Sequence, residues 1–373
     1  MNAFLKIKVW NQSDQDFNKL DFMTKRIFIS YILFVLVLPA FSQAGYGVYQ
    51  FLSLPASSRL AALGSANVSL RDNDINFAFE NPALLTAETN NMIGLSMANY
   101  LADIKFGTAI FGKTIGPKNY FAVGVQYVDY GTFQETTDLD VFTGQSFTAK
   151  DFSLNIAYAR PVTNQITVGA TLKPVYSAYE SYTSYGVAVD LGASYNDSVN
   201  LFSAGLVLKN IGTQFKGYYS DTDGQHLEPL PFNIQMGISK KLSHAPLRFS
   251  LTLNNLQKWD LSYQSTNQDA TNSSTTTSST NTTKEIGFAD MALRHTIFAV
   301  EFVPSRSFYL TAAYNDRRQQ EMSMSGFKSM AGFSFGGGIK LYKFHVGFGM
   351  TQFQVENYAY QFSISTSLNE FRL

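Results

Sequence analysis

The residues that could do chemistry are few and scattered. The chain has no cysteine, which removes thiolate metal sites, cysteine nucleophiles, disulfides and a cysteine lipid anchor. Its four histidines, His226, His244, His295 and His345, show no pair at metal-ligand spacing on a shared element. Three carboxylate pairs, Asp72 and Asp74, Asp138 and Asp140, and Asp221 and Asp223, fall in expected loops. They could offer oxygen ligands to Ca²⁺, but solvated loop acids account for them better. The run Gly336-Gly337-Gly338 could suggest a phosphate loop. It lies inside an alternating segment with no helix after it, so a kink or close packing is the better account. No Gly-x-Ser-x-Gly is present and no catalytic triad can be assembled. Glu301 and Asp190 fall within strand segments, where they would face inward if the sheet closes. This pattern implies no enzyme, no cofactor and no metal.

The elements that would carry these residues are β-strands. Charged residues are only 15% of the 373 positions, against roughly 25% in a typical soluble domain. Aromatic residues also reach 15%. Lys+Arg and Asp+Glu are 28 each, so the basic footprint of a nucleic-acid binder is missing. From about Met92 the apolar period is two. Ile166, Val168, Ala170 and Leu172 alternate with Thr167, Gly169, Thr171 and Lys173, and Phe232, Ile234, Met236 and Ile238 alternate with Asn233, Gln235, Gly237 and Ser239. The polar face carries Gly, Ser, Thr, Asn and Gln, where a soluble sandwich would place Lys and Glu.

About fourteen such segments are expected, near 93–101, 105–113, 120–130, 150–160, 165–178, 183–195, 201–212, 231–243, 246–258, 291–303, 308–318, 329–342, 344–355 and 358–370. Many match the roughly 9 to 11 residues that a tilted strand needs to cross a bilayer. Tight turns such as 117–119, 161–164, 196–198 and 304–307 follow the even segments, and long loops at 131–149, 213–230 and 259–290 follow odd ones. That is the asymmetry of outer-membrane barrels, whose short turns face the periplasm. Closure follows from solvation, because lipid offers nothing to an unpaired N–H or C=O. Tyr100, Tyr120, Tyr130, Tyr158, Tyr179, Tyr195, Tyr309, Tyr342 and Tyr358 lie near segment ends, where an interfacial girdle would sit. The expected fold is therefore all-β: a transmembrane antiparallel β-barrel of about 14 strands in contact with outer-membrane lipid. The competing architecture is a large exported β-sandwich.

Three domains are expected. Residues 1–44 form a signal-peptide region. Within it Lys25 and Arg26 precede the apolar run Ile27 to Leu38, and Pro39 and small residues follow. Met23 is the expected true start, with cleavage after Ser42 or Ala44. Residues 45–91 break the strand period and are expected to plug the barrel lumen, the alternative being a small docking piece that stays in the periplasm. In this piece Pro55 to Gly64 reads as a short helix, while Ala66 to Leu70 and Phe77 to Phe79 read as extended. Residues 92–373 form the barrel. Gln264 to Lys284, dominated by Thr, Ser and Asn, reads as a flexible outer loop.

Two blocks carry a family resemblance. The stretch Phe51 to Gly64, then Phe77-Ala78-Phe79-Glu80-Asn81-Pro82-Ala83-Leu84-Leu85, resembles the PorQ family of outer-membrane proteins of the type IX secretion system of Bacteroidota, and Gly124 to Gly131 fits the same family. The element Asn81, Pro82, Ala83 also looks like that of the wider group containing PorV and the FadL long-chain fatty acid transporters. The resemblance implies a 14-stranded barrel with an N-terminal hatch and a non-enzymatic role with an attachment complex that includes PorU, PorV and PorZ. PorQ-like proteins are thought to hold PorZ at the outer face, where the complex anchors secreted cargo. Loops 131–149, 213–230 and 319–328 would carry the contacts, with Phe215, Tyr218 and Tyr219 as aromatic anchors. The alternative is a FadL-like passive transporter of hydrophobic small molecules, which would require an apolar pocket in the lumen.

Overall fold

The computed structural model describes residues 47–100, 104–136, 142–221, 224–261, 287–322, 330–354 and 357–371. The expected signal peptide, the start at Met23, Asp138, Asp140, Asp223 and the Thr/Ser-rich stretch 264–284 lie outside those residues.

Every pairing is antiparallel, and where a tight turn joins two strands it can only reverse the chain. The strands are β1 (Met92–Asn99), β2 (Lys105–Ile115), β3 (Asn119–Thr136), β4 (Phe142–Pro161), β5 (Ile166–Tyr179), β6 (Tyr182–Asp197), β7 (Phe202–Lys216), β8 (Ser220–Asp221), β9 (Gly224–Gln225), β10 (Asn233–Lys241), β11 (Leu247–Leu253), β12 (Thr296–Ser305), β13 (Phe308–Asn315), β14 (Phe333–Leu341), β15 (Phe344–Gln354) and β16 (Asn357–Ser367). β8 and β9 make a small hairpin of their own, and the other fourteen close a barrel. The seam is β1 against β16, in register from Met92↔Ser367 to Asn99↔Tyr360. Both sheet edges are thereby paired, as lipid demands.

The two faces follow the sequence period. Leu95, Met97, Val123, Leu206, Phe298 and Phe362 point outward and are exposed, while Ser96, Thr108, Gln126, Ser153, Gln235 and Gln361 point inward and are buried. A soluble protein would not expose that outer band, so it is the surface that meets hydrocarbon. The connections at 116–118, 162–165, 198–201, 242–246, 306–307 and 342–343 are all short and share one end with both termini of the barrel. We name this the turn end, periplasmic in barrels of this kind, and the opposite one the loop end.

Several expectations are corrected. The supposed loop 131–149 is mostly strand. β3 and β4 continue past Asp129↔Lys150 as a two-stranded ribbon, paired from Thr132↔Thr148 to Thr136↔Phe142. β2 stops level with Asp129 and β5 level with Ala149, so the ribbon rises free of the wall. The segments expected at 291–303 and 308–318 begin and end later and earlier than the period suggested. Helices α2 (Phe288–Arg294) and α3 (Asp316–Glu321) replace their loop-end portions. Asn315 explains the second boundary, since its side chain accepts from the Arg318 N–H and caps a helix. The connection at 180–181 is tight although it lies at the loop end. Of the expected girdle, Tyr120 is buried inward, Tyr130 and Tyr179 bond the buried Asp151, and Tyr309 lies under the Arg59 guanidinium.

An outward position at mid-strand tests the lipid assignment. Leu95→Arg, midway along β1, should destabilise the barrel by roughly 2–4 kcal/mol in vesicles. Urea unfolding monitored by Tyr fluorescence measures it, and a loss below about 0.5 kcal/mol would place Leu95 away from the hydrocarbon midplane.

Candidate functional site

The site is the lumen and the segment that fills it. Residues 47–91 hold a single turn of α-helix, α1 (Ser58–Ala62), and four short 3-10 turns. Ser57 caps α1 by accepting from the Leu60 N–H, and Gly64 ends it at φ +84. The piece expected to be extended at 77–79 is a 3-10 turn, Ile75–Phe79, capped by Asp74. So little regular structure leaves many backbone groups unpaired within the segment, and a buried one costs about as much as a lost hydrogen bond.

The wall supplies the partners. Thr108, Thr351, Ser194 and Gln361 donate to the carbonyls of Ala56, Ala61, Ala83 and Pro55 at 2.7, 3.0, 2.8 and 3.0 Å. Ser363 Oγ accepts from the Ser58 N–H at 2.7 Å. These residues stand on β2, β15, β6 and β16, on opposite sides of the barrel, so the segment lies inside it as a hatch. Close approach at Gly349 makes room, since a Cβ there would stand 2.2 Å from the Ser58 carbonyl oxygen. Gly192 does the same for Asn81. The motif Asn81, Pro82, Ala83 is fully buried at this contact. The Asn81 carboxamide accepts from the Ala83 N–H and donates to the Val68 carbonyl at 2.9 Å and the Ala193 carbonyl at 3.3 Å, joining two hatch turns to the wall.

Charges latch the hatch at two heights. Toward the turn end, the Arg59 guanidinium donates to Glu301 Oε1 at 3.1 Å from both Nε and Nη2, and to Asp72 Oδ2 at 2.8 Å. It lies 4.4 Å over the Tyr309 ring. Arg248 reaches Asp72 at 3.1 Å and Glu301 at 3.4 Å. Asp72 is thus occupied by arginines, and Glu301, 1% exposed, faces inward as its alternation suggested. Burial opposes ionisation of Asp72, but Arg59 and Arg248 outweigh it and hold the carboxyl well below the usual carboxylate range. Higher in the wall, Lys209 Nζ donates to Glu80 of the hatch at 2.9 Å. Nearby, Lys173 pairs with Asp190 at 2.5 Å, and the Asn210 N–H donates to Asp190 at 2.8 Å. β6 and β7 change register twice beside this cluster, between Tyr185 and Gly186 and between Val189 and Leu191.

The loop-end mouth has a different character. Val48, Tyr49, Phe51 and Leu52 of the hatch pack on Phe106, Val128, Val175 and Leu230, with Tyr100, Tyr130 and Tyr218 around them. Asp151 sits in the wall here and accepts from Tyr130 at 2.7 Å, Tyr179 at 3.0 Å and Ser177. Of the expected aromatic anchors, Phe215 and Tyr219 are exposed, while Tyr218 turns inward, donates to Ser177 at 2.5 Å and packs at a tilt against Tyr179. The ribbon carries a stacked pair, Phe133 and Phe147, with ring centroids 5.3 Å apart. The lumen holds a cavity of about 110 Å³ beside Glu80 and Lys209 and another of about 700 Å³ at the turn end. Both are lined largely by polar and charged side chains. Among the described residues, no group of three or more His, Asp or Glu converges as a metal site would require.

Glu301 and Asp190 face inward as read from the sequence, but the latch partners Arg59, Lys209 and Arg248 were missed. Lys209 and Arg248 carried a signal, since they sit in otherwise apolar or small-residue strands, where an unpaired cation would be costly.

Fold and site together define a hatch-closed, fourteen-stranded barrel. Among solved structures, the chain is similar to the Pseudomonas putida toluene transporter TodX, at 12% identity and TM-score 0.48, over 85% of this chain and 99% of that one. The CymD monoaromatic hydrocarbon channel gives 13% identity and TM-score 0.48 over 85% and 97%. A Pseudomonas aeruginosa FadL homologue gives 10% and 0.47 over 84% and 98%. At this level the likeness bears on neither ligand nor partner. No protein-family model matches the chain, and no curated protein matches it.

The latch and the hatch path each give a prediction. Glu301→Gln leaves two arginines against Asp72 alone, and breaking a buried pair costs about 3 kcal/mol or more. Hydrogen exchange at Leu60 to Leu63 should rise by roughly 100-fold, and Arg59→Met in the same chain should recover part of the loss. Unchanged exchange in Glu301→Gln would show that the ion pairs do not hold the hatch. Because the folded Asp72 titrates below its unfolded value of about 3.9, its contribution is complete above that pH and fades as pH falls further. Hatch protection, corrected for intrinsic exchange, should therefore stay level from pH 8 to 5. The hatch also begins at the loop end, where the Val48 N–H donates to the Pro229 carbonyl, and reaches the turn end at Asp72. In this cysteine-free chain, Gln50→Cys should take an impermeant maleimide in intact cells and Asn73→Cys should not.

Proposed function

We propose that the chain is a non-enzymatic outer-membrane barrel that admits small hydrophobic molecules at its outer face, with the 47–91 segment as the closing element. One observation carries this reading. The outer mouth is closed by an apolar contact between hatch residues 48–54 and a wall of Phe106, Val128, Val175 and aromatic rings. Withdrawal of that short stretch uncovers a greasy, aromatic-lined recess of the kind small-molecule sites use. The expected apolar lumen pocket is thus occupied by the hatch itself. Below it the lumen is polar and latched, and the wall beside it is interrupted where β6 and β7 slip register and Pro174 of β5 lacks an N–H. The similar solved barrels are a toluene transporter, a monoaromatic hydrocarbon channel and a FadL homologue, which leans the same way while reaching only the outline of the fold.

A second reading is favoured by the ribbon above the membrane. Its two free edges and the exposed Phe133, Phe142, Phe215 and Tyr219 suit a protein partner. In that reading the barrel is a membrane-held platform for the attachment complex of type IX secretion, with PorZ, PorU and PorV as partners.

Uptake separates the two. Cells carrying the barrel should take up a labelled monoaromatic hydrocarbon faster than cells without it, and deletion of residues 47–54 should raise that rate severalfold while a sugar of similar size gains far less. Equal gains for both solutes, or no uptake above background, would remove the transport reading. Under the platform reading, loss of the barrel should instead release surface-anchored protein into the medium.

A further inference from the structure

The turn-end cavity is not used by either reading. It encloses about 700 Å³ between the hatch turn at Leu70–Asp74, α1 and the turn-end rim of the wall. That exceeds one phosphate ion and fits a small solute that carries one. Its cations fall into two groups. Arg59 and Arg248 are taken by Asp72 and Glu301, and Lys340 by Glu370. Arg71, Lys241 and Arg306 also line the cavity, and among the described residues none of the three has an acidic group within ion-pair distance. They come from three separate elements: the hatch turn, the end of β10 and the β12–β13 turn.

The local carboxylates do not answer them. Asp74 accepts from the N–H and side chain of Asn76, and Asp197 caps its own turn at Val199 and Asn200. Glu88 acts on Arg71 only from beyond ion-pair distance. Arg71 is half-buried, and a partly desolvated guanidinium without a counter-charge is an expensive arrangement unless an anion completes it. One buried polar atom points to the same conclusion. Ser58 Oγ, on a residue lining the cavity, has no hydrogen-bond partner. A hydroxyl donor, a planar guanidinium fork and two further cations suit an oxyanion of charge near two, since Arg matches phosphate geometry with paired N–H donors.

We infer that the periplasmic vestibule binds the phosphate group of a small periplasmic solute, with Arg71 as its principal contact. Lys241 and Arg306 supply the remaining charge, and Ser58 donates a hydrogen bond. The site is independent of what happens at the outer mouth.

The test uses the full barrel purified in a zwitterion-free, uncharged detergent. Inorganic phosphate and sn-glycerol 3-phosphate are titrated by calorimetry at constant ionic strength, with sodium chloride as the control titrant. Saturable binding of phosphate but not chloride is expected. Tighter binding of sn-glycerol 3-phosphate would identify an organic phosphate, and equal binding the free ion. Arg71→Gln should weaken binding at least tenfold, Arg71→Lys by less, and Lys241→Gln and Arg306→Gln by about threefold each. Lys118→Gln, on an exposed turn at the same rim, should leave it unchanged. Heat at chloride and phosphate alike, or full binding by Arg71→Gln, overturns the assignment. If Arg71→Gln does not fold, unchanged binding in both Lys241→Gln and Arg306→Gln overturns it equally.

Discussion

A buried backbone group without a partner is the cost around which this molecule is organised. The wall meets it by closure, with β1 paired to β16 so that no strand edge faces hydrocarbon. The hatch meets it differently. Its short turns cannot satisfy their own N–H and C=O groups, and they are deep inside a barrel. Non-helical backbone at membrane depth is tolerated only where protein or water receives it. Here Thr108, Thr351, Ser194, Gln361 and Ser363 receive it. The small, uncharged polar face of the strands is therefore a solvent for the hatch, built in side chains.

That role also explains where charge appears. Neutral hydroxyls and amides can hold backbone without fixing one arrangement, because many registers would offer a similar set of donors. Ion pairs are more selective. Glu301 can neutralise Arg59 only if α1 sits at one height, and Glu80 can meet Lys209 only if the 3-10 turn before Asn81 is in place. Each pair gains little over an apolar contact of the same volume, yet each is costly to break one-sidedly. The pairs therefore specify one seating of the hatch more than they add to total stability.

Much of the fold was legible because period two is a physical signature of a two-faced strand. Val168 and Leu172 against Thr167 and Thr171 could face lipid and lumen only one way. The ribbon at 132–148 was not legible, because neither face there is buried and the alternation that marks a half-buried strand disappears. The helices at 288–294 and 316–321 escaped because both are short and continuous with strand-like sequence, the first being apolar in part as well. Within the site, Glu301 and Asp190 stood out as acids in strands. Arg59 did not, since a single arginine in a hatch helix looks the same whether it faces water or a buried carboxylate. The tyrosines assigned to the lipid girdle divided between two uses, and sequence position near a strand end cannot tell them apart. Tyr130 and Tyr179 spend their hydroxyls on Asp151, an inward acid with no cation beside it among the described groups.

The two ends of the lumen consequently differ in what could move. At the turn end the hatch is tied by bonds that lose most when one partner leaves, and their geometry leaves a charged vestibule. At the loop end it is held by apolar contact with a few hydrogen bonds, such as Tyr49 to Ser184 at 2.5 Å and Val48 to Pro229 at 3.1 Å. Apolar contact has no preferred partner, and the hydrophobic term recovered by one greasy stretch can be recovered by another of similar area. On the transport reading, a hydrophobic solute could recover the apolar contact that residues 48–54 make, while the Pro229 carbonyl and Ser184 would turn to other partners. The latched half could stay seated while the upper half exchanges, so opening at the outer mouth does not require the whole hatch to leave the barrel.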